Sequence, residues 1–292
     1  MECFNILIII QITTTIHYNY TLLIDKGFAM KKRLTLLQMD VHVNDVEYNY
    51  NRVQELLTQS LTENPDIIVL PETWNTGFHP SDELITIADR NGERTKSLLT
   101  AFAKEHKVNI VGGSVAVAKD DLVFNTSYAY NREGKLVGEY SKMHGFSPAK
   151  EDKYFAGGTH TTHFELDGIS CSTVICYDIR FPELVRMAAL PGTELLFVPA
   201  QWPTMRLRHW QVLNEVRAIE NQLFVCAVNG CGTVGRVQST GHSAVYDPWG
   251  TNLLEMDTTE GIASVDIDLT VVEDIRNKIN IFRDRKPELY NL

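Results

Sequence analysis

The amino-acid sequence predicts a layered α/β fold built as a single domain. From Leu34 onward, short apolar runs of strand length alternate with segments whose apolar residues recur at helical spacing. The chain has 292 residues, of which 44% are hydrophobic, and this is enough for one large core. No internal repeat or linker-like tract interrupts the alternation. We therefore expect one domain over residues 30–292.

The first half of the chain begins with a strand-helix-strand unit. Apolar runs predict strands over Leu34–Val41 and Ile67–Leu70, and helical spacing predicts a helix between them from Val46 to Leu61. Turn-forming residues then fill positions 131–134. The other elements predicted in this half are a helix over Arg94–His106 and strands over Val108–Val117, Leu122–Tyr130 and Leu136–Lys142.

The second half contains a predicted junction between a buried strand and a helix. Asp167-Gly168 is a hairpin signal that pairs the strands Thr161–Leu166 and Ile169–Cys176. Pro182 is suited to the first turn of a following helix, so Cys176 ends a strand just before a helix begins. Backbone N–H groups are exposed at such ends. The remaining predicted elements are strands over Leu195–Val198, Leu223–Val228, His242–Tyr246, Asn252–Met256 and Ile262–Ile267 and a helix over Arg208–Asn221.

Composition excludes several classes of partner. A net charge of -10 at pH 7 repels phosphate backbones, so nucleic acid is not expected to bind. The five cysteines are odd in number and lie mostly in or beside apolar segments. They indicate reduced thiols and a cytoplasmic protein.

Residues 1–29 are predicted to be an extension outside the fold. The apolar run Ile6–Ile10 has no Lys or Arg before it and no small-residue cleavage site after it, and it is far shorter than the ~20 residues of a spanning helix. Met30 stands directly before the first strand. We expect no membrane partner, although a membrane-associating tail is the alternative for this segment.

Three polar residues stand where apolar strands end. Glu72 follows the strand Ile67–Leu70 and Lys142 closes a later strand, although a capping carboxylate and a solvated lysine would be ordinary explanations. Cys176 stands where an apolar strand runs directly into a charged turn, which would give a nucleophile access to solvent. The alternative is a buried structural cysteine, which would be inert. An ammonium can lower the pKa of a thiol and stabilise an oxyanion, so the set suits amide hydrolysis.

These residues, with their neighbours, resemble the nitrilase (carbon-nitrogen hydrolase) superfamily, and the resemblance covers essentially residues 33–285. The matching stretches are Leu70-Pro71-Glu72, Tyr140-Ser141-Lys142-Met143-His144, Cys176-Tyr177-Asp178-Ile179-Arg180-Phe181-Pro182-Glu183, Arg217-Ala218-Ile219-Glu220-Asn221 and Asp247-Pro248-Trp249-Gly250. Glu151 resembles the additional active-site glutamate of the superfamily, with a surface charge as the alternative. Gly145 departs from the family, which usually has a bulky apolar residue there, and a more flexible loop and an altered substrate preference are possible consequences.

The resemblance implies an α/β fold in the form of a four-layer αββα sandwich, with two central mixed β-sheets flanked by helices, and a homodimer formed through one helical face. The Cys-Tyr-Asp sequence at 176–178 is similar to the amidases of the superfamily rather than to true nitrilases. Residues 200–203, with Arg206, His209 and Trp210 after them, resemble the ω-amidase branch, which hydrolyses 2-oxo acid ω-amides. An amidase or N-carbamoyl hydrolase acting on another small amide is the alternative.

The resemblance also implies roles for individual residues. Glu72 acts as the base, Cys176 as the nucleophile, and Lys142 with the Tyr177 N–H holds the oxyanion, while Glu151 supports the hydrolysis step. No cofactor or metal is implied.

Three further residues are assigned to substrate binding. Arg180 matches an arginine that holds a substrate carboxylate in N-carbamoyl amino acid hydrolases, and the alternative is that it braces its turn through Asp178 or Glu183. Trp202 and Phe78 are assigned to substrate binding as well.

Rival chemistries have weaker support. His160 and His163 are the only candidate zinc pair, and residues three apart on a strand face opposite sides. The same geometry opposes a redox pair of Cys171 and Cys176. A papain-like site could use His144 as its base. The rival from another class is a small-molecule-binding module without catalysis, in which Cys176 would show no enhanced alkylation.

Overall fold

The structure is a computed structural model that describes residues 31–234 and 237–290. The predicted extension over residues 1–29 lies outside this part of the chain. The strands are β1 (Lys31–Gln38), β2 (Ile67–Val69), β3 (Asp89–Arg90), β4 (Asn109–Val111), β5 (Val115–Lys119), β6 (Leu122–Tyr130), β7 (Leu136–Ser141), β8 (Phe164–Leu166), β9 (Ile169–Thr173), β10 (Leu195–Ala200), β11 (Phe224–Asn229), β12 (Thr233–Val234), β13 (Val237–Gln238), β14 (Ala244–Tyr246), β15 (Asn252–Glu255) and β16 (Gly261–Asp268). The α-helices are α1 (Val46–Ser60), α2 (Leu84–Ile87), α3 (Glu93–His106), α4 (Glu151–Tyr154), α5 (Pro182–Ala189), α6 (Leu207–Asn221), α7 (Thr270–Lys278) and α8 (Ile281–Asp284).

The strands form two mixed sheets. The first has the order β16-β1-β2-β4-β6-β5-β3, with β7 paired to β6, and its strand β1 runs antiparallel to β16 and parallel to β2. The second has the order β15-β14-β11-β10-β9-β8, in which β10 runs parallel to both of its neighbours. β12 and β13 form a separate hairpin.

Strand periodicity explains how the sheets are layered. On β10, Leu195 and Phe197 point into a cluster shared by both sheets, whereas Leu196 and Val198 point into a cluster that includes residues of α5 and α6. Fully buried apolar residues therefore occupy every one of these positions. The second sheet is covered by the first on one face and by helices on the other.

The first sheet repeats this arrangement. Leu34 and Leu36 of β1 pack in the cluster between the sheets, whereas Leu37 packs with Leu57 of α1 and Leu99 of α3. The order of layers is therefore helices, sheet, sheet, helices. This confirms the predicted four-layer αββα sandwich.

One predicted strand is wrong in a way that shapes the site. The segment Val108–Val117 is two strands, β4 and β5, interrupted at residues 112–114. Gly113 has a φ of +60°, and a Cβ atom there would lie 1.9 Å from the carbonyl oxygen of Pro71. Only glycine allows this approach, so the break lets the β4–β5 connection pack against the residue that precedes Glu72.

Other boundaries differ less, and some elements were not predicted. β9 ends at Thr173 rather than at Cys176, and β8 begins at Phe164 rather than at Thr161. The short helices α2 and α4 and the C-terminal helices α7 and α8 had no counterpart in the sequence prediction. Within the described residues, no helix combines the length and apolar character needed to cross a membrane.

Candidate active site

Glu72 lies in a buried turn directly after β2. Its side chain is fully buried, and the Thr73 backbone N–H donates to Ser114 Oγ at 3.0 Å. Thr73 has a φ of +41°, which non-glycine residues seldom adopt. Such a conformation persists only when its surroundings hold it, and here the β4–β5 connection does so. The turn therefore presents the Glu72 carboxylate in a fixed orientation.

Lys142 follows β7 and links two glutamates. Its Nζ lies 2.9 Å from Glu72 Oε1, 2.9 Å from Glu151 Oε1 and 2.8 Å from Glu151 Oε2. The exposed fraction of the side chain is 3% for Lys142 and 0% for both glutamates. Glu151, which begins α4, is thus part of a buried ionic cluster and not a surface charge.

Cys176 lies in the connection between β9 and α5. It begins a 3-10 helix, Cys176–Arg180, and has a φ of +47°. A left-handed cysteine is uncommon, and sparsely populated backbone conformations cluster at functional sites. The N–H of Tyr177 is one of the first in this helix, where no intrahelical acceptor exists. Cys176 and Lys142 both line the same cavity.

Burial governs the ionisation of this cluster. It raises the pKa of the Cys176 thiol well above its ordinary value, and the charge of Glu72 raises it further, while Lys142 opposes both. Burial also raises the pKa of Glu151. For Lys142, burial acts to lower the pKa, but the carboxylates of Glu72 and Glu151 raise it overall. The resting site therefore holds a protonated thiol next to a charged ammonium.

Two residues that sequence reasoning missed fix the Glu72 carboxylate. Asn125 Nδ2, on β6, donates to Glu72 Oε1 at 2.9 Å and to Glu151 Oε1 at 3.3 Å. The Gln201 backbone N–H donates to Glu72 Oε2 at 2.7 Å, and its side-chain amide donates to the Glu72 carbonyl at 2.9 Å. The available signal for Asn125 was the polar run Asn125-Thr126-Ser127 inside the strand Leu122–Tyr130.

The sequence also did not predict that Asp178 holds the site together through hydrogen bonds. Its carboxylate is fully buried, and Oδ2 accepts hydrogen bonds from the Tyr140 hydroxyl at 2.7 Å and from the Ile175 N–H at 3.1 Å. Tyr140 is two residues from Lys142, and Ile175 precedes Cys176. One carboxylate therefore ties together the segments that carry the lysine and the cysteine.

A large cavity opens above this cluster. Its volume is about 1180 Å³, and the residues assigned to substrate binding from the sequence all line it. Phe78 lies with its ring centroid 5.6 Å from Lys142 Nζ, and Trp202 is almost fully buried. The lining residues used below are Phe78, Phe146, Tyr177, Arg180, Trp202 and Arg206.

Arg180 does not brace its turn in the way the alternative proposed. Within the described residues, it forms no ion pair with Asp178 or Glu183. Its guanidinium lies 4.6 Å from the ring centroid of Trp202, and Nη2 is 3.3 Å from His209 Nδ1. The charge of Arg180 is thus directed to the cavity without a carboxylate partner.

Gly145 allows close packing of the loop after Lys142. A Cβ atom at this position would lie 2.8 Å from the backbone nitrogen of Asp152, in α4. Phe146, the next residue, donates its N–H to Glu151 Oε2 at 2.7 Å. A bulky residue at 145 would therefore move the loop away from Glu151, so this departure from the family pattern has a local packing reason.

The rival residues are placed elsewhere or in other roles. His160 and His163 lie before β8 and not on a strand, so the alternating-face argument against a zinc pair was wrong. His163 Nε2 instead lies 2.8 Å from Ser170 Oγ, and the described residues contain no group of three or more potential metal ligands. Cys171 is buried between the sheets, whereas Cys176 packs in the other cluster.

The chain is similar to known proteins in both sequence and structure. The sequence pattern of the family described as "Carbon-nitrogen hydrolase" matches residues 33–277. A 2-oxoglutaramate amidase of Bacillus subtilis is 41% identical, over 89% of this chain and 100% of that protein. The omega-amidase NIT2 of Homo sapiens is 30% identical, over 88% of this chain and 96% of that protein. Among solved structures, XC1258 of Xanthomonas campestris, a CN-hydrolase superfamily protein with an arsenic adduct in its active site, has a TM-score of 0.81 at 30% identity, and the match covers 88% of this chain and 97% of that one.

Proposed function

The chain belongs to the carbon-nitrogen hydrolase family, and we propose that it is an ω-amidase that hydrolyses 2-oxo acid ω-amides such as 2-oxoglutaramate. The observation that carries the proposal is the buried cluster in which Lys142 Nζ joins Glu72 and Glu151, with Lys142 and Cys176 lining the same cavity. The similarity to a 2-oxoglutaramate amidase supports the choice of substrate.

In the first half of the reaction, Cys176 forms a thioester with the acyl part of the amide. Because its thiol is protonated at rest, attack of the sulfur on the amide carbon is coupled to transfer of the thiol proton to Glu72. Negative charge then develops on the amide oxygen, where the Lys142 ammonium and the Tyr177 N–H stabilise it. Glu72 returns the proton to the leaving nitrogen as the C–N bond breaks, and ammonia departs.

In the second half, water cleaves the thioester. Glu72 removes a proton from the attacking water and passes it to the sulfur of Cys176 as the carbon–sulfur bond breaks, which releases the acid and restores the thiol. Glu72 is the glutamate whose charge acts on the Cys176 thiol, so we assign the base to it. Both oxygens of Glu151 accept hydrogen bonds from Lys142 and Oε2 also accepts from the Phe146 N–H, so Glu151 supports the reaction by holding Lys142 in position.

The cavity supports a substrate with a carboxylate. Arg180 lines the cavity with Cys176 and has no carboxylate partner among the described residues. A guanidinium can bind a substrate carboxylate through two parallel hydrogen bonds and stays charged when it is partly buried. We assign Arg180 as the carboxylate anchor, with Trp202 and Phe78 as apolar walls of the site.

We further propose that the protein is a cytoplasmic homodimer. Apolar side chains are exposed on and beside the helices of the second sheet, with exposed fractions of 53% for Met187, 46% for Leu190, 45% for Ile219 and 52% for Trp249. A self-complementary contact over this face would bury them. The described cysteines are all free thiols, as suits a reducing compartment.

The decisive experiment measures ammonia release by the purified protein. 2-Oxoglutaramate and 2-oxosuccinamate should be hydrolysed with much higher kcat/KM than pentanamide, an N-carbamoyl amino acid or a nitrile of similar size. The Arg180→Lys variant should lose far more kcat/KM on 2-oxoglutaramate than on pentanamide. A preference of the wild-type protein for neutral or N-carbamoyl substrates would refute the ω-amidase assignment. Release of no ammonia from any of them would favour a non-catalytic binding module.

A further inference from the structure

A second arginine shares the cavity with Arg180. Arg206 lies in the 3-10 helix Thr204–Arg206, just before α6, and its side chain lines the same cavity as Cys176. Its guanidinium lies 5.1 Å from the ring centroid of Phe146, in the loop that precedes Glu151. Within the described residues, no carboxylate lies within ion-pair distance of it.

The two guanidiniums contact neighbouring rings of the cavity wall: Arg180 lies 6.0 Å from the ring centroid of Tyr177, which is 5.0 Å from the ring of Phe146 that Arg206 contacts. Burial lowers the pKa of Arg180, and the charge of Arg206 is the next largest cause of the lowering. Two like charges in one partly buried chamber cost free energy unless an anion joins them. The aromatic rings of Trp202 and Phe146 offset part of this cost, because a ring face attracts a cation, but they supply no negative charge.

Among the described residues, the two guanidinium groups together make one side-chain hydrogen bond. Arg180 Nη2 lies 3.3 Å from His209 Nδ1, and since a guanidinium has donors only, that ring nitrogen must accept. The backbone carbonyl of Arg206 accepts from Trp202 Nε1 at 2.8 Å, which fixes the 3-10 helix against the cavity wall. The main chain of Arg206 is therefore anchored while its charged group has no ionic partner.

We propose that Arg206 is a second substrate-binding residue, which together with Arg180 forms a two-guanidinium subsite that selects 2-oxo acid ω-amides over α-amino acid ω-amides. The inference rests on the proposed function. In 2-oxoglutaramate, the carboxylate and the 2-oxo oxygen are both acceptors, and two guanidiniums can satisfy them together. In glutamine, an ammonium replaces the oxo group and brings a positive charge and three donors to two cations.

The pair therefore acts on specificity by repulsion as well as by attraction. Arg180 alone would bind the carboxylate of either substrate, so it cannot distinguish them well. Arg206 adds a positive charge that repels the ammonium of an α-amino acid ω-amide. A repulsive contact of this kind lets a site discriminate between substrates of nearly the same shape. Glutamine has the same length and the same terminal amide as 2-oxoglutaramate, so it is the sharpest competitor for the test.

The test compares kcat/KM for four amides of equal chain length in wild type and variants. The substrates are 2-oxoglutaramate, glutaramate, glutamine and pentanamide. In Arg206→Gln, kcat/KM for 2-oxoglutaramate should fall by about tenfold to a hundredfold, the range for a lost hydrogen bond to a charged group. The ratio of glutamine to 2-oxoglutaramate turnover should rise by at least about tenfold, because a like charge is removed. Pentanamide turnover should fall much less.

Two further variants separate charge, shape and folding. Arg206→Lys keeps the charge and loses the planar guanidinium. Its kcat/KM for glutamine should therefore stay low, while its kcat/KM for 2-oxoglutaramate should fall in part. Arg208→Gln is the matched control, because Arg208 is exposed on the first turn of α6 and is not among the cavity-lining residues of the described chain. It should behave like the wild-type protein.

Outcomes for the proposed function and for Arg206 are distinguishable. If wild type prefers pentanamide to 2-oxoglutaramate, the ω-amidase assignment fails and the inference fails with it. If wild type prefers 2-oxoglutaramate but Arg206→Gln loses equally on all four amides, Arg206 has a structural role and the inference alone is overturned. An unchanged glutamine ratio in Arg206→Gln overturns it as well.

Discussion

Asp178 and His144 connect the segment that carries the nucleophile to the segment that carries the lysine. Asp178 Oδ1 accepts the backbone N–H of His144 at 3.0 Å and lies 2.8 Å from the ring Nδ1 of the same residue. The imidazole also stacks on Phe181, with ring centroids 3.6 Å apart. His144 is thus occupied in fixing the turn after Cys176. This arrangement gives no support to a papain-like role for it as the base.

We expect Asp178→Asn to lower kcat by about ten- to hundredfold while leaving KM nearly unchanged, because it displaces Cys176 relative to Lys142 without touching the substrate. In either orientation, an asparagine amide would turn its NH2 group toward a backbone donor, the Ile175 N–H or the His144 N–H. Leaving such a buried donor unpaired costs about 1–3 kcal/mol, so the free energy of unfolding should fall by a similar amount. Steady-state kinetics and urea unfolding measure the two effects.

Tyr140→Phe is the matched control, since it removes one of the hydrogen bonds to Asp178 Oδ2 and keeps the Ile175 bond. Its effect on kcat should be smaller than that of Asp178→Asn. If Asp178→Asn raised KM and left kcat unchanged, the positioning role would be wrong.

Cys176→Ala should abolish turnover while preserving the fold, because it removes the attacking atom and little volume. Cys171→Ala is the control, since Cys171 is buried between the sheets and away from the cavity, and it should retain substantial activity. Ammonia release and thermal unfolding are measured on both. Normal activity in both variants would exclude the covalent mechanism.

Lys142→Ala should lose on the order of a hundredfold or more in kcat, the usual cost of deleting an oxyanion donor. It also leaves Glu72 and Glu151 buried without a counter-ion, so the melting temperature should fall. Lys142→Arg should not restore activity, because a planar guanidinium is too large for a site in which three carboxylate oxygens lie within 2.9 Å of one nitrogen. Near wild-type rates in either variant would remove Lys142 from the mechanism.

The layered fold was predictable because its signals are local. Successive residues from Leu195 to Val198 point to opposite faces of a strand, and the apolar residues from Val46 onward recur on one face of a helix. Both patterns can be recognised within a short stretch of sequence. The break at Gly113 was not predictable, since it depends on contact with Pro71, which lies far away in the sequence. The C-terminal helix α7 was missed because only two of its residues, Val272 and Ile275, are buried, so its periodic signal is short.

The candidate site divides in the same way. Glu72, Lys142 and Cys176 follow the ends of β2, β7 and β9 within three residues, and the change from a strand-like run to a turn is visible in the sequence. The pairing of Asn125 and Gln201 with Glu72 was not predictable, because these residues come from separate parts of the sequence that only the folded chain brings together.

The thiol of Cys176 should remain un-ionised at pH values where a free cysteine forms thiolate. Burial is the main cause of its raised pKa. Since the folded state holds this proton more tightly than the unfolded chain, the resulting contribution to stability is present below the unfolded pKa of about 8.5 and is lost as pH rises through the higher folded pKa. Thiolate ultraviolet absorbance, measured as wild type minus Cys176→Ala, should show no increment at pH 8.5. A clear increment at or below that pH would contradict the coupled proton transfer to Glu72.

A chain that begins at Met30 should be as active and as stable as the full chain. The first strand, β1, begins at Lys31 and pairs with β16 from Lys31 opposite Asp268 to Gln38 opposite Gly261, so the truncation leaves this ladder complete. The family match begins at residue 33, and 261 aligned residues span the whole of the Bacillus subtilis relative. The measurements are kcat/KM on 2-oxoglutaramate and the melting temperature, with the full-length chain as the control. A clear fall in either quantity would show that residues 1–29 contribute to the folded domain or to its cavity.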